Sequence, residues 1–163
     1  MLYKLSYPFN FSDIQLECYN SNIIKPIKHD SVNDYINDFN FFEQHPQQKI
    51  CFDYFNSIFT LKNYKIHFQS SGKNIDWHID NFDSDKLRFI MPIISFENVL
   101  SYIDIDDNVY EFVMFPGNIY HFDIQLKHKV HNLSKKHRIA LIFDIENTLK
   151  NKQIIIDMFQ KII

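Results

Sequence analysis

Trp77-His78-Ile79-Asp80 holds the residues of this chain best placed to do chemistry. On a strand, side chains two apart share a face, so His78 and Asp80 could reach one metal ion together. Two imidazoles and one carboxylate on one face of an octahedron leave three positions open, the arrangement of non-haem Fe(II) oxygenases. His-x-Asp alone is a weak signal. With 8 histidines in an Asp-rich chain chance supplies about one, and a second stands at His121-Phe122-Asp123. An isolated pair of this kind is ordinarily a surface or hydrogen-bonded pair.

The wider pattern separates the two. A third ligand must come from a strand remote in sequence, followed by a cation for an anionic co-substrate. His78 has such partners in His128 and, ten residues later, Arg138. After His121 the next histidines fall within one turn and the adjoining strand, so that pair reads as a decoy. Arg138 opens Arg-Ile-Ala-Leu-Ile-Phe-Asp, an otherwise apolar run ending at Asp144. A guanidinium there wants a partner, and its planar fork suits a carboxylate; the plain alternative is an exposed strand-end arginine.

These residues need strands to hold them. Segments 64–69, 75–80, 87–95, 99–105, 109–115, 119–122, 129–132 and 138–144 are short and rich in β-branched and aromatic residues. Turn-like groups such as SSGKN, IDDN, FPGN and NLSKK separate them. So many short strands in succession predict a mainly β chain with flanking α-helices and a double-stranded β-helix core, the jelly roll of cupins. Gly72 and Gly117 fall in turns, each marking a backbone position that a side chain would disfavour. Before residue 63 the texture is different. A short strand is expected at 2–7, then helices at 11–19, 31–45 (from helical spacing of Val32, Tyr35, Ile36, Phe39 and Phe42) and 50–61. The tail reads as a helix with Leu149, Ile155, Ile156, Phe159 and Ile163 near one face, packing on the sheet or, less simply, forming a homodimer contact. The expected organisation is one domain over 1–163: an N-terminal support at 1–62, the jelly roll at 63–145 and a C-terminal helix at 146–163.

With 163 residues and 45% hydrophobic content, the chain has enough apolar area for one core. A net charge of -3, with Lys and Arg scattered, leaves no basic footprint for nucleic acid. Cys18 and Cys51 read as buried thiols rather than a disulfide. MLYKLSYPFNFSDIQ lacks a signal-peptide pattern, and no apolar run approaches the ~20 residues that span a membrane. A cytoplasmic protein, monomer or homodimer, is the expectation.

Taken in order, Ser71-Gly72, His78-x-Asp80, Arg88-x-Ile90-x-Pro92-Ile93, Gly117-x4-Phe122-Asp123, His128-x-Val130-x-Asn132 and Arg138 with Asp144 form a spaced set. It resembles the aspartyl/asparaginyl β-hydroxylase family of Fe(II)/2-oxoglutarate-dependent oxygenases, which includes free-proline hydroxylases. The N-terminal LSYPFNFSDIQLE is similar to the family's opening, more loosely. The resemblance implies His78, Asp80 and His128 as the catalytic Fe(II) ligands. It prefers His128 to His131 and His137, because His128 stands five residues after Asp123 and ten before Arg138. It implies that Arg138 binds the distal carboxylate of 2-oxoglutarate and that Arg88 is a second anion contact. His67 falls where the family has a co-substrate-contacting serine. Ile90 departs from the family, which has histidine there, and Asp80 is the acid of the proline hydroxylases and argues against the related halogenases. The implied reaction uses O2 and 2-oxoglutarate, with ascorbate as a stimulant, and hydroxylates an aliphatic C–H. The substrate would be an amino acid, free or as an Asp, Asn or Pro-type residue of a peptide, and succinate and CO2 would leave. The competing readings are a non-catalytic cupin-like metal or small-molecule binding module, and a metal enzyme that uses no keto acid.

Overall fold

Strand β10 (Arg138–Glu146) is apolar on both faces because two cores form against it. The computed structural model describes residues 1–6, 12, 13, 34–36, 46–80 and 85–163. Along the chain these give β1 (Leu2–Ser6), β2 (Asp34–Ile36), α1 (Pro46–Ile58), β3 (Leu61–Gln69), β4 (Asn74–His78) and β5 (Lys86–Ile94). Then follow β6 (Val99–Ile105), β7 (Asn108–Val113), β8 (Asn118–Phe122), β9 (His128–Asn132), β10, α2 (Leu149–Met158) and β11 (Gln160–Lys161). The strands make a seven-stranded sheet, β11-β1-β8-β5-β10-β3-β2, and a four-stranded sheet, β4-β9-β6-β7. This is the double-stranded β-helix, with helices against the outer face of the larger sheet.

Alternation sorts the side chains. Ile139, Leu141, Phe143 and Ile145 of β10 face outward, onto Cys51, Phe55 and Phe59 from α1 and its end and onto Ile155 and Phe159 from α2 and its end. Ala140 and Ile142 face inward and meet Ile90, Ile103, Met114, Tyr120 and Phe122 between the sheets. On β5, Phe89, Met91 and Ile93 are outward while Ile90 is inward. The pairing sets Phe143 opposite Phe89, with rings stacked at 5.1 Å, and Asp144 opposite Arg88. Arg138 and Asp144 therefore continue the inner series of β10, and Arg88 that of β5. The β5–β10 register shifts between Ile139 and Ala140, beside Pro92, which has no N–H for the ladder.

The turns follow the glycines and one acidic pair. Gly72, between β3 and β4, has φ 69°, and Gly117, before β8, has φ 82°. Asp106 and Asp107, at φ 52° and 63°, close the two-residue β6–β7 hairpin, whose twist requires that conformation.

Four expectations change. Within the expected helix at 31–45, Asp34–Ile36 form an edge strand that pairs with β3 from Asp34↔Phe68 to Ile36↔Ile66; the open edge of β3 outweighs the helical spacing. The remainder of 31–45, and 11–19 apart from Ser12 and Asp13, lie outside the described residues. α1 starts at Pro46, ahead of the expected 50, because proline suits a first helical turn. At the C-terminus the helix covers only Leu149–Met158, entered through Thr148, whose hydroxyl accepts from the Asn151 N–H. Beyond it the chain is extended, β11 pairs with β1, and Ile163 joins the inner core. Ile155 and Phe159 are buried as expected, whereas Leu149 is 87% exposed and Ile156 55% exposed. No helix among the described residues is long and apolar enough to cross a membrane. Cys51 is buried with its sulfur 3.9 Å from that of Met91, and Cys18 lies outside the described residues.

Candidate metal centre

β4 and β9 bring two histidines together by register: His78 is paired directly with His128, and the ring centroids are 4.2 Å apart. The pairing is irregular on the β4 side. Ile75 faces Val130 and His78 faces His128, so Asp76 and Trp77 together oppose Lys129 alone. One extra residue of this kind re-aims the side chains that follow it. It lets Ile75 and His78, three apart, line the same cavity as Val130 and His128.

Each imidazole is oriented by a backbone carbonyl two residues before it. His78 Nδ1 lies 2.7 Å from Asp76 O, and His128 Nδ1 lies 2.8 Å from Leu126 O. A carbonyl only accepts, so both Nδ1 atoms carry a proton and Nε2 is the ring position left to ligate. Burial, opposed by the bond to Leu126 and reinforced by His78, lowers the pKa of His128 and favours the neutral ring. The ring of Phe122 stands edge-on to His128 at 5.0 Å and limits its rotation.

Asp80 completes the cluster. β4 ends at His78, so Asp80 lies just past the strand rather than on it, as the sequence had suggested. Its backbone is fixed instead by the next loop: its N–H donates to Ile124 O at 3.1 Å, and Gln125 Nε2 donates to its carbonyl at 3.0 Å. Oδ1 is 3.7 Å from His78 Nε2. Potential ligand atoms of His78, Asp80 and His128 all lie within 4.8 Å of one another. Two imidazole nitrogens and a carboxylate oxygen make a donor set that fits a divalent Fe, Mn or Zn ion.

The cavity beside the cluster has a volume of about 360 Å³, and both Arg138 and His67 line it. Arg138 is 2% exposed, and its Nη1 is 3.3 Å from His67 Nδ1. An arginine only donates, so His67 accepts through Nδ1 as a neutral ring. Burial, with Arg138, Lys65 and Arg88 nearby, holds the His67 pKa well below its usual value. His67 thus binds the guanidinium without neutralising it. Ile90, where the resembled family has histidine, contributes an apolar wall, as do Ile142, Met114 and Phe112.

Arg88 also lines the cavity, and its guanidinium is bonded to two carboxylates. Nε and Nη2 donate to Asp144 Oδ1 and Oδ2 at 2.8 and 3.1 Å, and Nη1 donates to Asp80 Oδ2. Asp144, 1% exposed, is the residue whose role sequence reading missed. The available signal was a carboxylate at the end of an apolar run, which needs a buried cation nearby.

The competing histidines are elsewhere. His131 sits against Tyr102 at 5.3 Å, one residue out of phase with the inward Val130. His137 is exposed in the turn before β10. His121 lies on the outer face of the large sheet, near Tyr3 and Phe89, with Nδ1 2.9 Å from Arg88 O. With Asp123 and Lys152 it lines a separate cavity of about 210 Å³. Asn132, the last residue of the His-x-Val-x-Asn stretch, is fully buried, and its Nδ2 donates to the carbonyls of Gln69, Ser70 and Lys136 at 3.0–3.2 Å. It ties the β3–β4 turn to the loop that delivers Arg138.

The fold and the cluster define a jelly roll with a two-histidine, one-carboxylate site, the design of 2-oxoglutarate-dependent non-haem iron oxygenases. The family model described as aspartyl/asparaginyl beta-hydroxylase matches residues 39–148, about two thirds of the chain. The chain therefore belongs to the aspartyl/asparaginyl β-hydroxylase family of Fe(II)/2-oxoglutarate-dependent oxygenases. Among solved structures it is similar to a Pseudomonas putida prolyl-4-hydroxylase, at 12% identity over 90% of this chain and 92% of that one, with a TM-score of 0.61. A Trichoplax adhaerens prolyl hydroxylase in complex with a hypoxia inducible factor peptide fragment aligns at 10% identity over 93% and 86%, with a TM-score of 0.63. EvdO2 of Micromonospora carbonacea var. aurantiaca, complexed with 2-oxoglutarate, aligns at 12% identity over 88% and 86%, with a TM-score of 0.64. At these identities the likeness shows the fold. No curated protein sequence matches the chain.

Proposed function

We propose that this oxygenase hydroxylates an aliphatic C–H of an amino acid, free or as an Asp, Asn or Pro-type residue of a peptide, and releases succinate and CO2. His78, Asp80 and His128 hold Fe(II), and Arg138 pairs with the distal carboxylate of 2-oxoglutarate. The observation that carries the reading is the convergence of three ligand atoms within 4.8 Å beside a cavity that also contains a buried guanidinium. Bound iron with the keto acid and O2 supplies the oxidising chemistry, with ascorbate keeping the metal ferrous.

The chain's own residues supply orientation and exclusion of water. The Asp76 and Leu126 carbonyls hold both histidines in the ligating tautomer. Arg138, in contact with His67, brings a buried guanidinium to the cavity wall at a fixed place, where it can pair with a carboxylate. Ile90, Met114, Phe122 and Ile142 give an apolar stretch of the wall that suits a substrate with an aliphatic body, while Ser101, Tyr102 and Lys129 add polar groups. A screen of free amino acids and short peptides for stimulated succinate formation, under Fe(II), ascorbate and oxygen, tests the reading. Stimulation by an amino acid or peptide, with a product heavier by one oxygen, is expected. Keto-acid consumption that no amino acid or peptide stimulates would count against it.

A further inference from the structure

Arg88 donates to two carboxylates, where a structural ion pair requires one. Asp144 alone satisfies its fork, with Nε and Nη2 on the two carboxylate oxygens. The remaining Nη1 reaches across to Oδ2 of Asp80. The backbone of Asp80 is already fixed by Ile124 and Gln125, so the side-chain torsions alone are left to decide where its oxygens point.

We propose that Arg88, braced by Asp144, is a positioning residue that occupies Oδ2 of Asp80 and leaves Oδ1 as the one oxygen offered to the metal. The inference rests on the reading of Asp80 as a ligand. Oδ1 is the oxygen recorded 3.7 Å from His78 Nε2, on the side of the cluster. Carboxylates bind cations through one oxygen or through both. With three protein ligands an octahedral ion keeps three positions free, which a keto acid and O2 fill together. A second Asp80 oxygen would take one of them. The clamp thus preserves the vacancy count on which co-substrate binding depends. Its base is rigid: Asp144 and Arg88 are cross-strand partners in β10 and β5, and both are buried.

The test uses the full chain loaded with Mn(II), whose effect on water-proton relaxation reports how many waters the ion carries. R88Q leaves Asp144 buried without its cation, a costly state, so R88Q/D144N is measured beside it and R88K as the conservative variant. In R88Q and R88Q/D144N, Mn(II) affinity is expected to weaken by about 10- to 100-fold but to remain measurable. Relaxivity should fall, and 2-oxoglutarate affinity at saturating Mn(II) should drop by about 10-fold or more. R88K should recover part of both. Wild-type relaxivity in the folded variants overturns the proposal. If co-substrate binding alone fell, Arg88 would be a direct co-substrate contact. Loss of Mn(II) binding in a folded variant also overturns the clamp, since its role is in coordination and not retention. Failure of the wild-type chain to bind Mn(II) would instead strike the metal-site reading beneath it.

Discussion

His78 and His128 are directly paired residues of antiparallel strands, each with Nδ1 bonded to a carbonyl two residues earlier in the chain. The ligating faces of both rings are therefore set by backbone, before any ion arrives. Asp80, delivered from beyond the end of β4, adds the carboxylate.

Replacing the third ligand separates the candidate histidines. H128A should abolish succinate formation, while H131A and H137A should retain it within a few-fold. His131 lies against Tyr102 and His137 is exposed in a turn, so neither supports the cluster. Steady-state assays of the three variants, each checked for folding by circular dichroism, decide between them. Loss of activity in H131A with retention in H128A would move the ligand assignment.

Arg138 should act on the co-substrate and not on the metal. R138A removes the buried charge facing His67, so 2-oxoglutarate affinity should fall by more than about 10-fold, the scale of losing a buried charge-assisted pair. Mn(II) affinity should remain near wild type. Calorimetric titration of each ligand in turn reads both effects. Unchanged keto-acid binding would remove Arg138 from the site.

His67 makes stability depend on pH in a definite direction. Burial first, then Arg138, Lys65 and Arg88, hold its folded pKa well below the ordinary value of about 6.5. Below that pH the unfolded chain takes a proton that the folded ring refuses, so the unfolded state binds more protons. Stability of the metal-free protein is then complete above about pH 6.5 and falls as the pH is lowered, by up to about 1.4 kcal/mol per pH unit for each such histidine. His121 and His128, also lowered chiefly by burial, add to the same slope. Urea unfolding between pH 5 and 8 (a range chosen from about 1.5 units either side of the free value) should show this slope, and H67Q should make it shallower. An identical slope in H67Q would contradict the assignment.

Asn132 should be structural. Its amide serves three backbone carbonyls and its oxygen accepts from the Ser134 N–H and hydroxyl. Truncation to alanine leaves buried groups without partners, at a cost of about 1–3 kcal/mol apiece before relaxation. N132A should lower the melting temperature markedly, with 2-oxoglutarate affinity falling because the loop before Arg138 loosens. A thermal scan with and without 2-oxoglutarate and Mn(II) measures both.

The strand-rich half of the fold was legible because β-branched and aromatic residues write strands directly, and turns at Gly72, Gly117 and Asp106-Asp107 punctuate them. His128 was legible as the partner of His78 because its intervals to Asp123 and Arg138 match those of the resembled family, and the structure pairs the two histidines across β4 and β9. The Arg88–Asp144 clamp was hidden, because it exists only through the β5–β10 register, which no local pattern encodes. The extra residue in β4 was hidden for the same reason. Tyr35 and Ile36 misled through helical spacing, because the open edge of β3, far along the chain, decides their conformation. Leu149 and Ile156 misled because the helix ends at Met158 and the following residues return to the sheet, rotating the buried face onto Ile155 and Phe159.

The most direct measurement is an anaerobic titration of the metal-free chain with Mn(II), followed by electron paramagnetic resonance of the free ion. One tightly held Mn(II) per chain is expected, with 2-oxoglutarate binding only once it is present, and H78A, D80A and H128A should each lose both. Tight Mn(II) binding that survives loss of all three side chains, or keto-acid binding indifferent to the metal, would contradict the central claim.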